Sequence, residues 1–234
     1  MRRTADPLAL LRYERKHLLE ALEASALEAR LARTPSCIGE PAGRIVTLYL
    51  DREDAALCRR LVDGKGAGSR LRVRWYGEAA DPVVIERKHH REGLVRKTRL
   101  VVAARELPAL LSGADPRARL IGIGRLLYAP LPLCVVAYER HVYRDAGGTY
   151  RVTIDRNLSA ALPRLDWLAR VATGSVPDAI PVPDAPVVVE CKHHGEPPRW
   201  LETALAPHAA GRFSKLGWAY LRLRQQPTVL RREA

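Results

Sequence analysis

Residues 83–90 read VVIERKHH and residues 187–194 read VVVECKHH. Each octet begins with an apolar run typical of a buried β-strand and then gives Glu, one variable residue, Lys and two histidines. Side chains alternate between the two faces of a strand, so Glu86 and Lys88 share one face, as do the Glu and Lys of the second octet. The sequences around the octets differ, so we interpret them as two strands of one structure rather than as a duplicated domain.

Lysine is rare in this chain, and half of its lysines share one pattern. The sequence contains 39 basic residues, of which six are lysine and 33 are arginine. Three of the six lysines close a Glu-x-Lys tripeptide, once in each octet and again at Glu14-Arg15-Lys16. Because lysine is used so sparingly and in one repeated pattern, these tripeptides are the first candidates for function.

The chain is strongly basic, with a formal net charge of +13. This charge predicts a polyanionic partner, such as nucleic acid, an anionic membrane face or a chain of phosphates, and a solvated basic surface without a specific role stays open. Aromatic residues make up 6% of the chain, which leaves little material for stacking on nucleic acid bases. We therefore expect no nucleic acid partner.

Length and composition predict one domain over residues 1–234. No run of 18 apolar residues occurs, so we expect no transmembrane segment, and the N-terminus has no apolar core typical of a signal peptide. The four cysteines are widely spaced and form no CxxC pair. They predict free thiols in a reducing compartment, and hence a cytoplasmic protein.

Hydrophobic periodicity predicts at least seven strands, mostly paired as antiparallel hairpins, with helices around them. The strands are predicted at 44–51, 69–77, 82–90, 93–102, 133–144, 148–157 and 186–195. An amphipathic helix is predicted to begin between Tyr13 and His17 and to run to about residue 33, followed by a loop over 34–43. Shorter helices are predicted at 53–64 and 162–172.

The polar faces of these strands carry an unusual amount of charge. Arg72 and Arg74 lie on one face of their strand and apolar residues on the other, and Lys97 and Arg99 also share a face. Either these charges point into solvent, or the sheet closes into a barrel and they line its interior. Many cations with a few carboxylates make a suitable environment for phosphate groups bridged by a divalent metal.

A set of short motifs resembles the VTC domain, which is the catalytic domain of the vacuolar transporter chaperone complex and a member of the triphosphate tunnel metalloenzyme, or CYTH-like, superfamily. The motifs follow in order from about residue 12 to residue 220: Tyr13-Glu14-Arg15-Lys16, Leu48-Tyr49-Leu50-Asp51, Leu71-Arg72-Val73-Arg74-Trp75-Tyr76-Gly77, Ile85-Glu86-Arg87-Lys88, Lys97-Thr98-Arg99, Tyr138-Glu139-Arg140, Arg151-Val152-Thr153-Ile154-Asp155, Val189-Glu190-Cys191-Lys192 and Phe213-Ser214-Lys215. LRVRWYG and the final Ser-Lys are the more specific of these motifs.

The resemblance implies an α+β fold built on a closed antiparallel β-barrel, an eight-stranded tunnel flanked by helices. It implies that the tunnel binds ATP and inorganic polyphosphate, and that Mn²⁺ or Mg²⁺ assists transfer of the ATP γ-phosphate to a growing polyphosphate chain. The sequence leaves the oligomeric state open.

The resemblance also assigns roles to residues. The implied phosphate ligands are Lys16, Arg72, Arg74, Lys88, Lys97, Arg99, Arg140, Arg151, Lys192 and Lys215. Seven of them are expected to act in catalysis: Lys16, Arg72, Arg74, Lys88, Arg140, Arg151 and Lys215. Glu190 is the implied principal metal ligand, with Glu86, Glu14 and Asp155 as further carboxylates.

Two other functions stay open on the same fold. Triphosphatases of the superfamily typically begin with Glu-x-Glu-x-Lys, whereas this chain has Arg12 in the first position. The difference favours the polymerase over a metal-dependent triphosphatase without removing the second possibility. A non-catalytic protein that binds polyphosphate or another polyanion is the third.

Other conspicuous residues are interpreted as structural. The histidine pairs of the two octets lie at strand ends, where exposed polar residues are expected. Cys191 lies on the opposite face from Glu190, so we expect a buried structural thiol. The glycine-rich segment 64–69 precedes a strand and lacks Gly-Lys-Ser/Thr, which favours a turn over a phosphate-binding loop.

Overall fold

A computed structural model describes residues 13–63, 68–91, 94–124, 130–182 and 184–225. Nine strands are found there: β1 (Tyr13–Leu19), β2 (Cys37–Asp51), β3 (Gly68–Tyr76), β4 (Val83–Arg91), β5 (Leu94–Val102), β6 (Leu131–Asp145), β7 (Tyr150–Ala161), β8 (Ile180–Pro181) and β9 (Val187–His193). The α-helices are α1 (Ala21–Arg33), α2 (Ala56–Val62), α3 (Leu107–Ser112), α4 (Trp167–Ala172), α5 (Arg199–Leu205) and α6 (Lys215–Gln225), with short 3₁₀ helices at Ala104–Glu106 and Pro116–Ile121. Arg12 and residues 64–67 lie outside the described residues.

The strands are hydrogen-bonded in the order β1-β9-β7-β6-β2-β3-β4-β5, and β8 pairs with β7. The pairs β1–β9, β7–β9, β2–β3, β3–β4 and β4–β5 are antiparallel. This confirms the predicted α+β class with an antiparallel sheet and flanking helices. Among the described residues the order ends at β1 and β5, so closure into a tunnel stays a prediction.

The described chain divides into two compact units. The first unit takes its described residues from Met1–Gly43, Tyr138–Leu158 and Pro183–Phe213. The second takes them from Arg44–Ala137, Ser159–Val182 and Ser214–Ala234. The single domain over residues 1–234 stays a prediction, and β2, β6 and β7 each contribute residues to both units.

In the first unit, one face of β1, β9 and β7 forms the core with α1 and α5. The buried side chains of this core include Leu27, Leu31, Val152, Val189 and Leu201. They come from the apolar positions of the alternating strands and from the inner stripe of each helix. The opposite face of the same strands therefore presents the charged positions.

In the second unit, the apolar face of β2–β5 packs against α3, the 3₁₀ helices and α4. Leu48, Val73, Trp75 and Ile85 are completely buried there. Trp75 is among the largest of the fully buried side chains. Because these residues alternate with Thr47, Arg72, Arg74 and Glu86, burying one set directs the other to the opposite face.

The predicted start of the first helix is wrong. Residues 13–19 form β1, which pairs with β9 along its whole length, and α1 begins only at Ala21. At the boundary, the backbone N–H of Glu20 donates to the Glu23 carboxylate at 2.9 Å, as is typical of a helix start. Pairing with a distant strand outweighs the local helical periodicity here, so all three Glu-x-Lys tripeptides lie on strands.

The loop predicted at 34–43 is also wrong, because β2 begins at Cys37. The other edge of β1 is covered by the segment after α5. His17 and Ala210 form an isolated antiparallel bridge, and the Gly211 N–H donates to the Lys16 carbonyl at 2.8 Å. The His17 ring bonds the His208 carbonyl through Nδ1 at 2.7 Å.

None of the helices in the described ranges is long and apolar enough to cross a membrane. The four cysteines are free, as predicted. Cys191 is 2% exposed, and burial raises the pKa of its thiol to about 11. The prediction that this thiol is buried is confirmed, and its structural role stays a prediction.

Candidate functional site

The charged face of the second unit is ordered in rows across four strands. One row places Tyr49, Arg72, Glu86 and Arg99 side by side on β2, β3, β4 and β5. The rows on either side place Thr47 beside Arg74, and Arg70 beside Lys88 and Lys97. Directly opposed residues share a face, so six predicted site residues are brought onto one surface: Arg72, Arg74, Glu86, Lys88, Lys97 and Arg99. A seventh, Lys215, begins α6 in the same unit.

Glu86 lies at the centre of this surface with four cations around it. Its Oε2 accepts from Arg72 Nε at 2.7 Å and lies 3.4 Å from Arg74 Nη1. Its Oε1 lies 2.9 Å from Lys97 Nζ and also accepts from Arg99 Nε. Glu86 is 1% exposed, so the carboxylate is enclosed by its basic partners. We call these five residues the Glu86 cluster.

The cluster shifts the titration of its own members. Burial alone would raise the pKa of Glu86, but the charges of Arg72, Arg74 and Lys97 hold it far below its usual range. Burial lowers the pKa of Lys97 to about 8, against the opposing effect of Glu86. Glu86 is therefore ionised throughout the physiological range, and the pKa of Lys97 lies at about 8.

Neighbours on the same face fix the orientation of Arg74. Its Nε donates to Thr47 Oγ1 and its Nη1 to Tyr76 Oη, each at 3.4 Å, and the guanidinium lies 5.8 Å from the centre of the Tyr76 ring. Arg74 is only 6% exposed. Thr47 is a member of this surface that sequence reasoning missed, because its neighbour on β3 depends on a register that no local pattern reveals.

The charged face of the first unit is built from β1, β9 and β7. One row places Glu14, Lys192 and Arg151 side by side, and the next places Lys16, Glu190 and Thr153 side by side. The first and third Glu-x-Lys tripeptides thus run antiparallel beside each other, with each Glu opposite a Lys. Opposite charges directly across two strands attract one another.

Lys192 lies between two carboxylates of this face. Its Nζ is 2.6 Å from Glu190 Oε1 and 3.8 Å from Glu14 Oε2. Lys16 Nζ lies 3.3 Å from Glu14 Oε1 and donates to the Phe213 carbonyl at 3.3 Å. Although burial would raise the pKa of Glu190, the charges of Lys192 and Lys16 hold it well below its usual range.

Arg140 and Asp155 form a two-pronged ion pair in the same unit. Arg140 Nε donates to Asp155 Oδ1 at 2.6 Å, and Nη2 donates to Oδ2 at 2.7 Å. The guanidinium lies 5.3 Å from the centre of the Tyr138 ring, and Asp155 is completely buried. Although burial opposes it, Tyr138 and Asp155 raise the pKa of Arg140 above its ordinary value. The pair holds a planar guanidinium in one orientation.

Two buried polar atoms on this face have no hydrogen-bond partner among the described residues. They are Oγ1 of Thr153, directly opposite Glu190, and Nε of Arg151, directly opposite Lys192. Buried donors and acceptors are normally paired in folded proteins. Their position next to the Glu190–Lys192 pair marks this place as one where a ligand or water would complete the bonding.

The four predicted metal carboxylates have different partners. Glu86 and Asp155 lie in ion pairs with arginines, whereas Glu14 and Glu190 approach the same ammonium group. The described residues contain no group of three or more His, Cys, Asp or Glu side chains placed to hold a metal ion. Mg²⁺ and Mn²⁺ are commonly held by one or two carboxylates plus phosphate and water oxygens. Glu190 and Glu14, with the unpartnered Thr153 hydroxyl, fit this kind of site.

His89 and His193 take no part in either charged face. His89 bonds Ser69 Oγ through Nδ1 at 2.9 Å, and His193 bonds the Gly195 carbonyl through Nδ1 at 2.6 Å. His193 is 3% exposed and stacks on Tyr13. The prediction of an exposed strand end is therefore wrong for His193, because α5 covers this end of β9. The side chain of His90 lies outside the described residues.

The comparison with known families identifies the chain. The model of the VTC domain matches residues 4–223, almost the whole sequence. The chain belongs to the VTC domain family, and the resemblance seen in its motifs is confirmed. No curated protein matches the sequence.

One solved structure supports the fold, and two others are similar to a lesser degree. A candidate adenylyl cyclase from Hippeastrum with a dominant triphosphatase activity is 16% identical, with a TM-score of 0.56, over 92% of this chain and 97% of its own. A candidate adenylate cyclase from Bacillus halodurans is 13% identical over 82% of this chain and 83% of its own, with a TM-score of 0.48. A protein from Pyrococcus horikoshii is 10% identical over 91% and 98%, with a TM-score of 0.49. At 16% identity, the likeness to the Hippeastrum protein shows a shared fold and nothing more.

Proposed function

We propose that this protein is a metal-dependent polyphosphate polymerase, which transfers the γ-phosphoryl group of ATP to the end of an inorganic polyphosphate chain. The observation that carries the proposal is the Glu86 cluster in a member of the VTC domain family. Four cations around one buried carboxylate make a surface for a chain of phosphates.

For this reaction the protein has to position the two substrates and to stabilise the charge that develops on the transferred group. A terminal oxygen of the polyphosphate chain attacks the γ-phosphorus of ATP, and the bond from that phosphorus to the bridging oxygen of ADP breaks. The attacking group is already an anion, so no nucleophilic side chain is required. Fixed cations around the transferred group stabilise the charge that develops on its oxygens.

The proposal gives each cation a part. Arginine forks such as Arg72 and Arg74 hold two non-bridging oxygens at once, and lysines such as Lys97 supply a compact charge. The phosphate-binding residues are Lys16, Arg72, Arg74, Lys88, Lys97, Arg99, Arg140, Arg151, Lys192 and Lys215. Seven of these residues are proposed to contact the transferred phosphoryl group: Lys16, Arg72, Arg74, Lys88, Arg140, Arg151 and Lys215.

Glu190 is the proposed principal metal ligand, with Glu14 beside it. When bound, Mn²⁺ or Mg²⁺ would neutralise charge on the phosphate oxygens. The carboxylates of Glu86 and Asp155 hold arginines, which leaves Glu14 and Glu190 as the better metal ligands of the predicted four. Lys192, which lies between these two carboxylates, would move toward a phosphate oxygen.

A metal-dependent triphosphatase is the second candidate. The Hippeastrum protein, which shares the fold, has a dominant triphosphatase activity. Hydrolysis needs the same cations and the same metal, with water in place of the polyphosphate end as the attacking group.

The test is to incubate the pure full-length chain with ATP and Mn²⁺ or Mg²⁺ and to analyse the products. Long-chain polyphosphate with one ADP per phosphate added supports the polymerase. Release of orthophosphate alone, from ATP or tripolyphosphate, replaces it with the triphosphatase. Polyphosphate binding without turnover of either substrate would leave a non-catalytic polyanion-binding protein.

A further inference from the structure

The Glu86 cluster differs in kind from the charged face of the first unit. We infer that Glu86 is a positioning residue rather than a metal ligand, and that its cluster binds a chain of phosphates without any metal. The inference rests on the proposed function in taking polyphosphate as the ligand. It concerns binding alone and does not depend on the reaction.

Both oxygens of Glu86 are already occupied. Oε2 receives Nε and Nη2 of Arg72 at 2.7 and 2.5 Å, with Arg74 Nη1 at 3.4 Å. Oε1 receives Lys97 Nζ at 2.9 Å and Arg99 Nε. An ionised carboxylate has about four acceptor sites, and these partners use them. A divalent cation here would have to displace bound cations and remain beside them at like charge.

The cluster has a large excess of positive charge. Four cations and one carboxylate leave a net charge of +3. The cations are graded in exposure: Arg74 is buried, whereas the side chains of Lys97 and Arg99 are 40% and 41% exposed. The exposed charged groups of Lys97 and Arg99 can contact successive phosphates. The carboxylate of Glu86, which lies below them, reduces the repulsion between the four cations. A carboxylate in this position orders the cations for an anion that arrives later.

The charged face of the first unit is nearly balanced by comparison. Its four cations are Lys16, Arg140, Arg151 and Lys192, and its three carboxylates are Glu14, Asp155 and Glu190. A net charge of +1 attracts a polyanion weakly. A divalent metal ion bound to this face would raise its positive charge and so its attraction for phosphate. The Glu86 cluster is positive enough to attract phosphate without a metal ion.

The first arm of the test compares two neighbours on β5. Lys97 belongs to the cluster, and Arg96 is exposed on the opposite face of the same strand, beside His89. Lys97→Gln and Arg96→Gln remove the same charge. Titration of the full chain with inorganic polyphosphate in EDTA is expected to show tight binding that Lys97→Gln weakens about five- to tenfold and Arg96→Gln leaves almost unchanged.

The salt dependence of binding gives a second readout in the same arm. Each cation that contacts a flexible polyanion adds roughly 0.7 to the slope of log K against log salt, as it does for single-stranded nucleic acid. Lys97→Gln should lower that slope by about this amount, and Arg96→Gln should not. Equal effects of the two substitutions, or no binding until a metal is added, would overturn the inference.

The second arm tests Glu86 itself. Glu86→Gln removes the charge that orders the cations, so the variant should melt at a lower temperature than the unchanged protein. Polyphosphate in EDTA should then raise its melting temperature more than it raises that of the unchanged protein, because the bound anion replaces the lost charge. Mn²⁺ affinity, measured without phosphate, should stay the same. A loss of Mn²⁺ affinity would make Glu86 a metal ligand and overturn the inference.

These outcomes can be separated from those of the proposed function. Neither arm measures turnover, so metal-free binding with the expected Lys97 and Arg96 difference would stand even if ATP yielded no polyphosphate. If Glu86→Gln fails to fold, the Lys97 and Arg96 pair alone decides the result. Polymerase activity in a protein that binds polyphosphate only with Mn²⁺ would keep the proposed function and overturn this inference.

Discussion

Asp155 holds Arg140 through both of its carboxylate oxygens, with N–O distances of 2.6 and 2.7 Å. Because Asp155 is completely buried, its charge is compensated by this guanidinium rather than by water. The pair fixes the direction in which Arg140 can offer its remaining N–H donors. Asp155 thus acts on a proposed phosphate ligand, Arg140, without having to touch phosphate itself.

We expect Asp155→Asn to destabilise the fold and to slow turnover. Breaking a buried ion pair from one side leaves the other charge uncompensated, which costs about 3 kcal/mol. Urea unfolding measures the loss, and steady-state kinetics should show a lower kcat because Arg140 is no longer held. The matched control is Asp166→Asn, whose partner Arg164 is exposed and lies at 3.0 Å. An equal loss of stability in both variants would contradict the role given to Asp155.

Glu190→Gln should remove metal binding while leaving polyphosphate binding in EDTA intact. The substitution keeps the size of the side chain but removes the charge that a hard divalent cation prefers. We expect Mn²⁺ affinity to fall about 100-fold or more, measured by calorimetry, with loss of turnover. The control Glu139→Gln changes an exposed carboxylate that bonds Asn157 at 2.9 Å. Unchanged Mn²⁺ affinity in Glu190→Gln would exclude Glu190 as the principal ligand.

Polyphosphate affinity should fall as the pH rises through about 8. Burial lowers the pKa of Lys97 to about 8, so this ammonium loses its proton near that pH and the Glu86 cluster loses one positive charge. Arginine stays charged throughout, so Lys97→Arg should flatten the pH profile between pH 7 and 9. Titrations with polyphosphate in EDTA at several pH values give the comparison. Parallel profiles for the two proteins would assign the pH dependence to another group.

The same pKa shift affects stability with a definite sign. Between pH 8 and the ordinary lysine value of 10.5, the unfolded chain binds a proton at Lys97 that the folded chain does not. The unfolded state therefore binds more protons, and the contribution of Lys97 to the free energy of unfolding rises with pH in this window. The free energy of unfolding is measured against pH for both the unchanged protein and Lys97→Arg. The difference between the two profiles isolates the contribution of Lys97.

Glu86 contributes stability that acid removes. Its folded-state pKa is held far below the ordinary value of 4.5, so the contribution is fully present above pH 4.5 and is lost as the pH falls below it. Glu86→Gln should therefore cost most at pH 7 and progressively less toward pH 3. Urea unfolding of both proteins at pH 7, 5 and 3 measures the narrowing gap. A gap that stays constant with pH would mean that the charge of Glu86 does not cause the difference.

Local alternation was sufficient to predict which residues share a charged face. Arg72 with Arg74, Glu86 with Lys88 and Glu190 with Lys192 were assigned correctly, because the period of a strand is set by its own backbone. Family motifs added Arg140 and Arg151, whose spacing alone says little. These predictions needed no knowledge of which strands are neighbours.

Pairing between distant strands set the limit of sequence reasoning. That Glu86 lies between Arg72 and Arg99, or Thr47 beside Arg74, follows from registers fixed by contacts across the whole chain. The same cause explains why β1 was wrongly predicted as part of a helix. Leu18 and Leu19 fit a helical pattern, but they pair with Val188 and Val187 of β9. The division of the carboxylates into metal candidates and arginine partners likewise depends on distances that residue type does not encode.

The segment that crosses the outer edge of β1 also bears on solubility. An open strand edge is a template on which a second copy can add its own strand, and charged edge positions such as Lys16 only partly discourage this. The His17–Ala210 bridge and the Gly211 bond to the Lys16 carbonyl occupy backbone groups in the middle of this edge. We therefore expect the linker between α5 and α6 to hinder edge-to-edge association, and deletion of 207–213 to increase self-association.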